Sequence, residues 1–310
     1  MESAAANDAP KPAAGLPPVQ PPSARFIGQL FVIPGLIITV IVLLVIVSTL
    51  FVRREREPAY FLQQLDSDNM DIRWRGASDL AQILKRPEPA TLRWKADAGF
   101  ALDLVDRLDS ARNELLKNEA KIGAEIAKSN DKDKHLLWRK LRNQRDFVSF
   151  LVSALGEFHV PVGAPVLCTM VKHDASADVK GNTLQRRKAL WALMNMGENL
   201  HGFAKMPKEQ QDSALETLRA EAAKGATARS NWARTALHYI EPESVRIRGH
   251  EQYTRVDETL VALTNSDDPF MRELVAMAFN FWDGPQAEAT LLRLSQDTGR
   301  GTLIRVEEID

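Results

Sequence analysis

A single cysteine, Cys168, stands in 310 residues, so no intramolecular disulfide can close and no cysteine-based zinc cage can form. Such a chain fits a reducing compartment. The six histidines, at 135, 159, 173, 201, 238 and 250, lack ligand spacing, and neither a structural zinc nor another cofactor is expected. The sequence contains no phosphate-binding glycine loop, no His-Glu-x-x-His and no Gly-x-Ser-x-Gly, which removes the motif-borne routes to nucleotide binding, zinc proteolysis and serine hydrolysis. Cys168 lies in the apolar stretch Val166-Leu167-Cys168-Thr169-Met170-Val171, with His173 five residues on. On a helix that offset points the two side chains roughly 140° apart, so Cys168 reads as a buried structural residue rather than a nucleophile. No catalytic residue is assigned, and a non-enzymatic chain is expected. An excess of one charge is missing too: residues 53–310 carry 38 basic and 39 acidic side chains. That balance offers no bulk attraction to nucleic acid or acidic lipid, so nucleic acid is not expected as a partner.

Long apolar runs are also scarce, and there is one. It opens at Phe31 and closes at Val52, with 22 positions free of charge and dominated by Ile, Val, Leu and Phe. As a helix it rises ~33 Å against a hydrocarbon core of ~30 Å. A helix satisfies its backbone hydrogen bonds within one segment, so the run reads as a single-pass anchor in a lipid bilayer. A cleavable secretory signal needs a basic start, a core of about 7 to 15 apolar residues and a small-x-small site. Here only Lys11 and Arg25 precede the run, which is too long and ends at Arg53, Arg54, Glu55 and Arg56 like a stop-transfer flank. Pro34 is expected near the start of the span, where a missing backbone N–H costs little. Two basic residues lie in the 20 positions before the run and three in the 20 after it, which favours the C-terminal part on the cytoplasmic side. Residues 1–25 hold seven Ala and six Pro and are expected as a disordered tail whose proline run suits polyproline II.

Internal repetition organises the remainder. Four segments align: Gly76-Ala77-Ser78-Asp79-Leu80, Ala189-Leu190-Trp191-Ala192-Leu193, Ala233-Arg234-Thr235-Ala236-Leu237 and Val275-Ala276-Met277-Ala278-Phe279. A small or branched residue leads each, and a large apolar one follows four later. Arg73, Arg186 and Arg272 stand three positions before their leaders, and Arg229 stands four before. The last three leaders are 44 and 42 residues apart, and a weaker copy, Leu151-Val152-Ser153-Ala154-Leu155, lies 38 before Ala189. Positions i, i+3 and i+4 share a helical face, so each segment carries an apolar stripe. A second apolar helix is expected before each, around residues 60–65, 165–172, 211–223 and 258–263, which makes each unit a helical hairpin. One hairpin cannot bury both its apolar faces, whereas stacked neighbours can.

Asp267-Asp268-Pro269-Phe270-Met271-Arg272 and Asp68-Asn69-Met70-Asp71-Ile72-Arg73 resemble the inter-helix turn Asp-x-x-Val-Arg of the HEAT-repeat family of α-solenoids, whose repeats run about 40 to 47 residues. The resemblance implies an all-α fold, a right-handed solenoid of stacked hairpins after one N-terminal transmembrane helix. It also implies a ladder of turn residues built from Asp71, Arg73, Asp268 and Arg272. Two units depart from the pattern: Asp178-Val179-Lys180 stands too far before its helix, and Ala228-Arg229 lacks the acid. The expected organisation is a tail at 1–25, a transmembrane helix at 26–54, a first repeat at 55–86, a charged helical insertion at 87–146, further repeats at 147–298 and a cap at 299–310, with strand propensity at 302–306.

Within the insertion, a charged helix is expected from Ala98 to Lys128, with Leu104, Leu108, Leu115 and Ile122 as its apolar stripe and a break at Ser129-Asn130-Asp131. The next helix opens with Lys132, Lys134, His135, Arg139, Lys140, Arg142 and Arg145 among Leu136, Leu137, Trp138 and Leu141. This is the chain's one basic amphipathic segment. It is either the solvated face of a repeat helix or a contact for phosphates or anionic headgroups. Trp74, Trp191, Trp232 and Trp282 fall in or beside second helices, where they line either the core or a docking face. The leading candidates for partner binding are Arg73, Trp74 and Arg75, followed by Trp138, Arg139 and Arg142. The expected function is that of a membrane-anchored scaffold for protein partners, themselves membrane-associated.

Overall fold

The computed structural model describes residues 24–52, 57–172, 179–241, 253–282, 284 and 286–296. The described residues form thirteen α-helices and no strand, so the chain is all-α. The proline-rich tail, the terminal cap with residues 302–306, and His173 lie outside them. The chain divides into two compact units, residues 1–55 and 56–310.

The first unit contains helix α1 (Ala24–Val52), 29 residues long with Pro34 inside. Pro34 is the fourth residue of the charge-free run, as expected, but the helix itself opens ten residues before it, so the proline lies inside the helix rather than in its first turn. Every described side chain from Val32 to Val45 is exposed. Side chains of α1 are described at Gly28 and over 32–45 alone, and among the described residues no helix is long and apolar enough to cross a membrane.

The second unit contains α2 (Pro58–Leu65), α3 (Met70–Leu84), α4 (Pro89–Ala96), α5 (Ala98–Lys128), α6 (Asp131–Leu155), α7 (Ala164–Lys172), α8 (Val179–Phe203), α9 (Lys208–Ala222), α10 (Ala228–Ile240), α11 (Val256–Leu263), α12 (Pro269–Ala278) and α13 (Ala287–Gln296). Local chemistry sets the starts. The side chains of Asn69, Asp97, Asn130, Thr227 and Asp268 accept hydrogen bonds from backbone N–H groups of their first turns. Proline opens α2, α4 and α12, where its fixed φ suits a helix and its missing donor is no loss.

The aligned stripes are the core. The leader, fourth and fifth positions of all five segments are buried except Asp79, which is half-buried. Hairpin α2–α3 stands beside α5–α6, which stands beside α7–α8. The next second helix in the row is α12, which packs directly on α8, while its partner α11 packs on α7. The hairpin α9–α10, third in order among the aligned segments with strong leaders, lies outside this row, against α4, α5 and α7. The even 44- and 42-residue spacing therefore does not translate into three successive neighbours. A buried stripe needs only some apolar face to meet, and the face offered to α10 belongs to the first helices.

The expected insertion also changes. Helix α6 runs through residue 146 without a break and carries the Leu151-Ala154-Leu155 stripe at its C-terminal end. Helix α5 is its hairpin partner. The long gap between the first two leaders thus comes from α4 and from two extended arms of an otherwise ordinary pair. Helix α8 likewise begins at Val179, so Val179 and Lys180 belong to the helix and do not form a turn before it.

Candidate interaction surfaces

Chemistry is sparse. Among the described residues no three His, Cys, Asp or Glu side chains gather as a metal site would require. Cys168 is buried, and burial pushes its thiol up to about 11, partly offset by the hydroxyl of Thr259. A thiol held so far above neutrality is not a nucleophile. A cleft of about 360 Å³ opens between α5, α7 and α10, lined by Asp109, Thr169, Lys172, Asn231, Trp232 and Thr254.

Charged side chains join the helices. Arg187 of α8 donates two hydrogen bonds of 2.8 Å to Asp268, the N-cap of α12, and this holds the Asp268 carboxyl below its usual range. Asp268 thus links α12 to α8 through Arg187, a residue outside the expected set of Asp71, Arg73, Asp268 and Arg272. Arg272 is buried and donates to the carbonyl of Ser266 at 2.6 Å within its own turn. Asp71 is exposed. A second link joins the off-row hairpin to the row: Arg229 of α10 donates to Asp103 at 2.8 Å and to Asp106, both on α5, and lies 3.5 Å from Glu221. Burial lowers the Arg229 pKa, but hydrogen bonds to the two aspartates outweigh it and raise the net value.

The three residues ranked first by sequence take different environments. Arg73 sits over the Phe147 ring at 4.6 Å and lies 3.5 Å from Glu114. Trp74 is half-buried, edge-on to Phe150 at 5.7 Å, with its indole N–H buried and unpartnered. Arg75 is exposed. Arg73 and Trp74 thus hold α3 against the α5–α6 hairpin. Trp232 and Trp282 are core; the Trp282 indole N–H donates to the Leu193 carbonyl at 2.8 Å.

Trp191 is 47% exposed and belongs to a surface that sequence reasoning did not assemble. On α8, Leu184 and Trp191 lie seven residues apart and face solvent. On α12, Phe270 and Met277 do the same. The two helices run in the same direction: Arg187 meets Asp268, and ten residues on, Gly197 lies against Phe281 and Trp282. The Arg187 guanidinium covers the Phe270 ring at 4.9 Å, bringing both stripes onto one face. The available signal was an apolar residue every seventh position opposite the alanine stripe.

The basic segment occupies the free end of the α5–α6 hairpin. Trp138, Arg139 and Arg142 are exposed there, and Leu136 is 63% exposed. Compared with known proteins, the chain matches no family model and no curated sequence.

Proposed function

We propose that the chain is a membrane-anchored, non-enzymatic scaffold whose row of helical hairpins presents a docking face to a protein partner. One observation carries this reading: Leu184, Trp191, Phe270 and Met277 stand exposed together on neighbouring helices of the row, in a chain whose other large apolar residues outside α1 mostly pack inward. Exposed aromatic and aliphatic side chains flanked by charge are the usual anchors of protein interfaces. The HEAT resemblance of the turns at Asp71 and Asp268 supports a repeat scaffold. For the membrane, the support is the charge-free run at 31–52 within a 29-residue helix, whose length of ~43 Å exceeds a hydrocarbon core. An anchor confines the helical unit to the layer of its partners and raises their effective concentration, so weak contacts suffice. The C-terminal unit is assigned to the cytoplasmic side.

A photo-crosslinking side chain in place of Trp191, in the full chain in membranes, should join to a discrete protein, whereas the same group at exposed Glu216 on α9 should not. Equal labelling from both positions, or none from Trp191, would sink the docking face. A reporter fused after Asp310 that is active only on the outer side would overturn the orientation.

A further inference from the structure

Helices α5 and α6 extend past all their neighbours. They run antiparallel: Glu119 meets Arg145 at 2.8 Å, Ile122 and Leu141 are buried between the arms, and Ile126 and Leu137 close the seam nearer the tip. Among the described residues, polar and ring contacts from other helices stop at Glu114 on α5 and at Arg145 on α6, made by Arg73 and Gln185. Residues 117–128 therefore carry the hairpin a further ~18 Å past the last of these contacts.

The tip has its own composition. Residues 117–142 hold eight Lys or Arg and four acids, in a chain whose net charge is −1. Two of those acids are already engaged, Glu119 by Arg145 and Asp131 by Lys134 at 3.4 Å. Lys132, Arg139, Lys140 and Arg142 make no ion pair among the described residues and face solvent. Leu136, Leu137 and Trp138 are consecutive, and a two-helix tip can bury only one of them. Leu137 fills the seam, which leaves Leu136 and Trp138 exposed at 63% and 47% on either side of the basic face. Two residues apart on α6, Leu136 and Trp138 point roughly 160° apart with Lys132, Arg139 and Arg142 between them, so a basic face laid on a surface has an aliphatic and an indole side chain at its two edges, level with the headgroups. A single-stranded nucleic acid would instead use successive aromatic platforms, and this tip has one aromatic residue.

We propose that the α5–α6 tip docks onto an anionic lipid bilayer, with Leu136 and Trp138 entering the headgroup layer while Lys132, Arg139, Lys140 and Arg142 pair with lipid phosphates. The proposal deepens the membrane-anchored reading, which supplies the bilayer, but its chemistry does not require the anchor. Each basic side chain near a charged surface contributes a factor of about five, so removing three weakens docking on the order of 100-fold.

The test uses the full chain in nanodiscs of phosphatidylcholine, or free in buffer if alkaline extraction shows that it does not embed. Brominated vesicles with or without phosphatidylserine are added, and the difference in quenching between the wild type and Trp138→Phe isolates Trp138. Trp138 should be quenched by the phosphatidylserine vesicles, released at high salt, and shifted on the order of 100-fold in apparent affinity by Lys132→Ala with Arg139→Ala and Arg142→Ala. Far-UV dichroism should be unchanged, since all three side chains face solvent. Absent quenching, equal quenching by neutral vesicles, or retention by polyuridine or polyglutamate in place of vesicles would overturn the proposal. Extraction reports the anchor and Trp138 reports the tip, so either can fail alone.

Discussion

Replacing Gly197 with alanine tests the order of the row through the sign of one stability change. Gly197 lies inside α8, where alanine is ordinarily favoured over glycine by about 0.5–1 kcal/mol. Here a Cβ would fall 2.6 Å from the Trp282 indole nitrogen and 2.7 Å from the Phe281 Cβ, in a fully buried site just beyond α12. Real contacts do not come so close, so the indole must move and overpacking costs about 1–3 kcal/mol. Moving it also breaks the 2.8 Å bond from its N–H to the Leu193 carbonyl, which leaves a buried donor unpaired at about 1–3 kcal/mol. The helix gain is too small to offset both, and the net loss is roughly 3 kcal/mol. For a domain of this size that is a fall in Tm of about 6–12 °C. Thermal unfolding of the detergent-solubilised full chain, followed by near- and far-UV dichroism, reads it. If α10 rather than α12 were the neighbour of α8, position 197 would not meet Trp282 and the substitution would raise Tm slightly. An unchanged or higher Tm therefore refutes the packing order.

Arg229→Met removes the cation shared by Asp103, Asp106 and Glu221. The part-exposed pairs and the leftover carboxylate repulsion together imply a loss of about 1–2 kcal/mol, and amide exchange should accelerate in α9 and α10 more than in α3; uniform acceleration would argue against a separately attached hairpin. Burial lowers the pKa of His159, whose Nδ1–H donates to the Asn199 carbonyl at 2.8 Å, and that of His238, which stacks on Tyr253. A histidine whose folded pKa is depressed contributes stability that is complete above its unfolded value of about 6.5 and is lost as pH falls below it, so Tm should be lower at pH 5 than at pH 7.5, and an acid-insensitive Tm would contradict the assignment. With its thiol pushed up to about 11 by full burial, Cys168 should resist iodoacetamide at pH 8 in the folded chain and react promptly in denaturant. Rapid labelling of the native chain would mean that this helix face opens.

Helix identity was legible because its signals are local. The 3.6-residue stripes at Leu151, Ala189, Ala233 and Val275 all proved buried, and the capping residues Asn69, Asn130 and Asp268 start helices through bonds to their own first turns. The break at residues 129–130 was visible for the same reason. The candidate surfaces were harder to read. Trp74 and Trp191 look alike in sequence, each beside a leader and basic neighbours, yet one packs edge-on to Phe150 and the other faces solvent. That difference depends on whether a second helix covers the far face, which no local pattern encodes. The 132–145 stretch showed its basic amphipathic character in sequence, but only the uncovered hairpin tip separates it from an ordinary repeat helix.

What the sequence by itself determined, then, is an all-helical chain of paired apolar faces, a charge-free run of spanning length, and the absence of the usual catalytic and metal-binding motifs. Tertiary structure alone decided which faces meet. It seated α12 on α8, moved the α9–α10 hairpin onto the first helices through Arg229, joined the expected insertion to the row as a lengthened hairpin, and laid Arg187, on the helix that carries Trp191, over Phe270. The physical reason is that hydrophobic burial is non-directional: a stripe specifies that it must be covered, while the choice of cover falls to shape, to Gly197 and Gly156 where helices approach closely, and to long-range pairs such as Arg187 with Asp268.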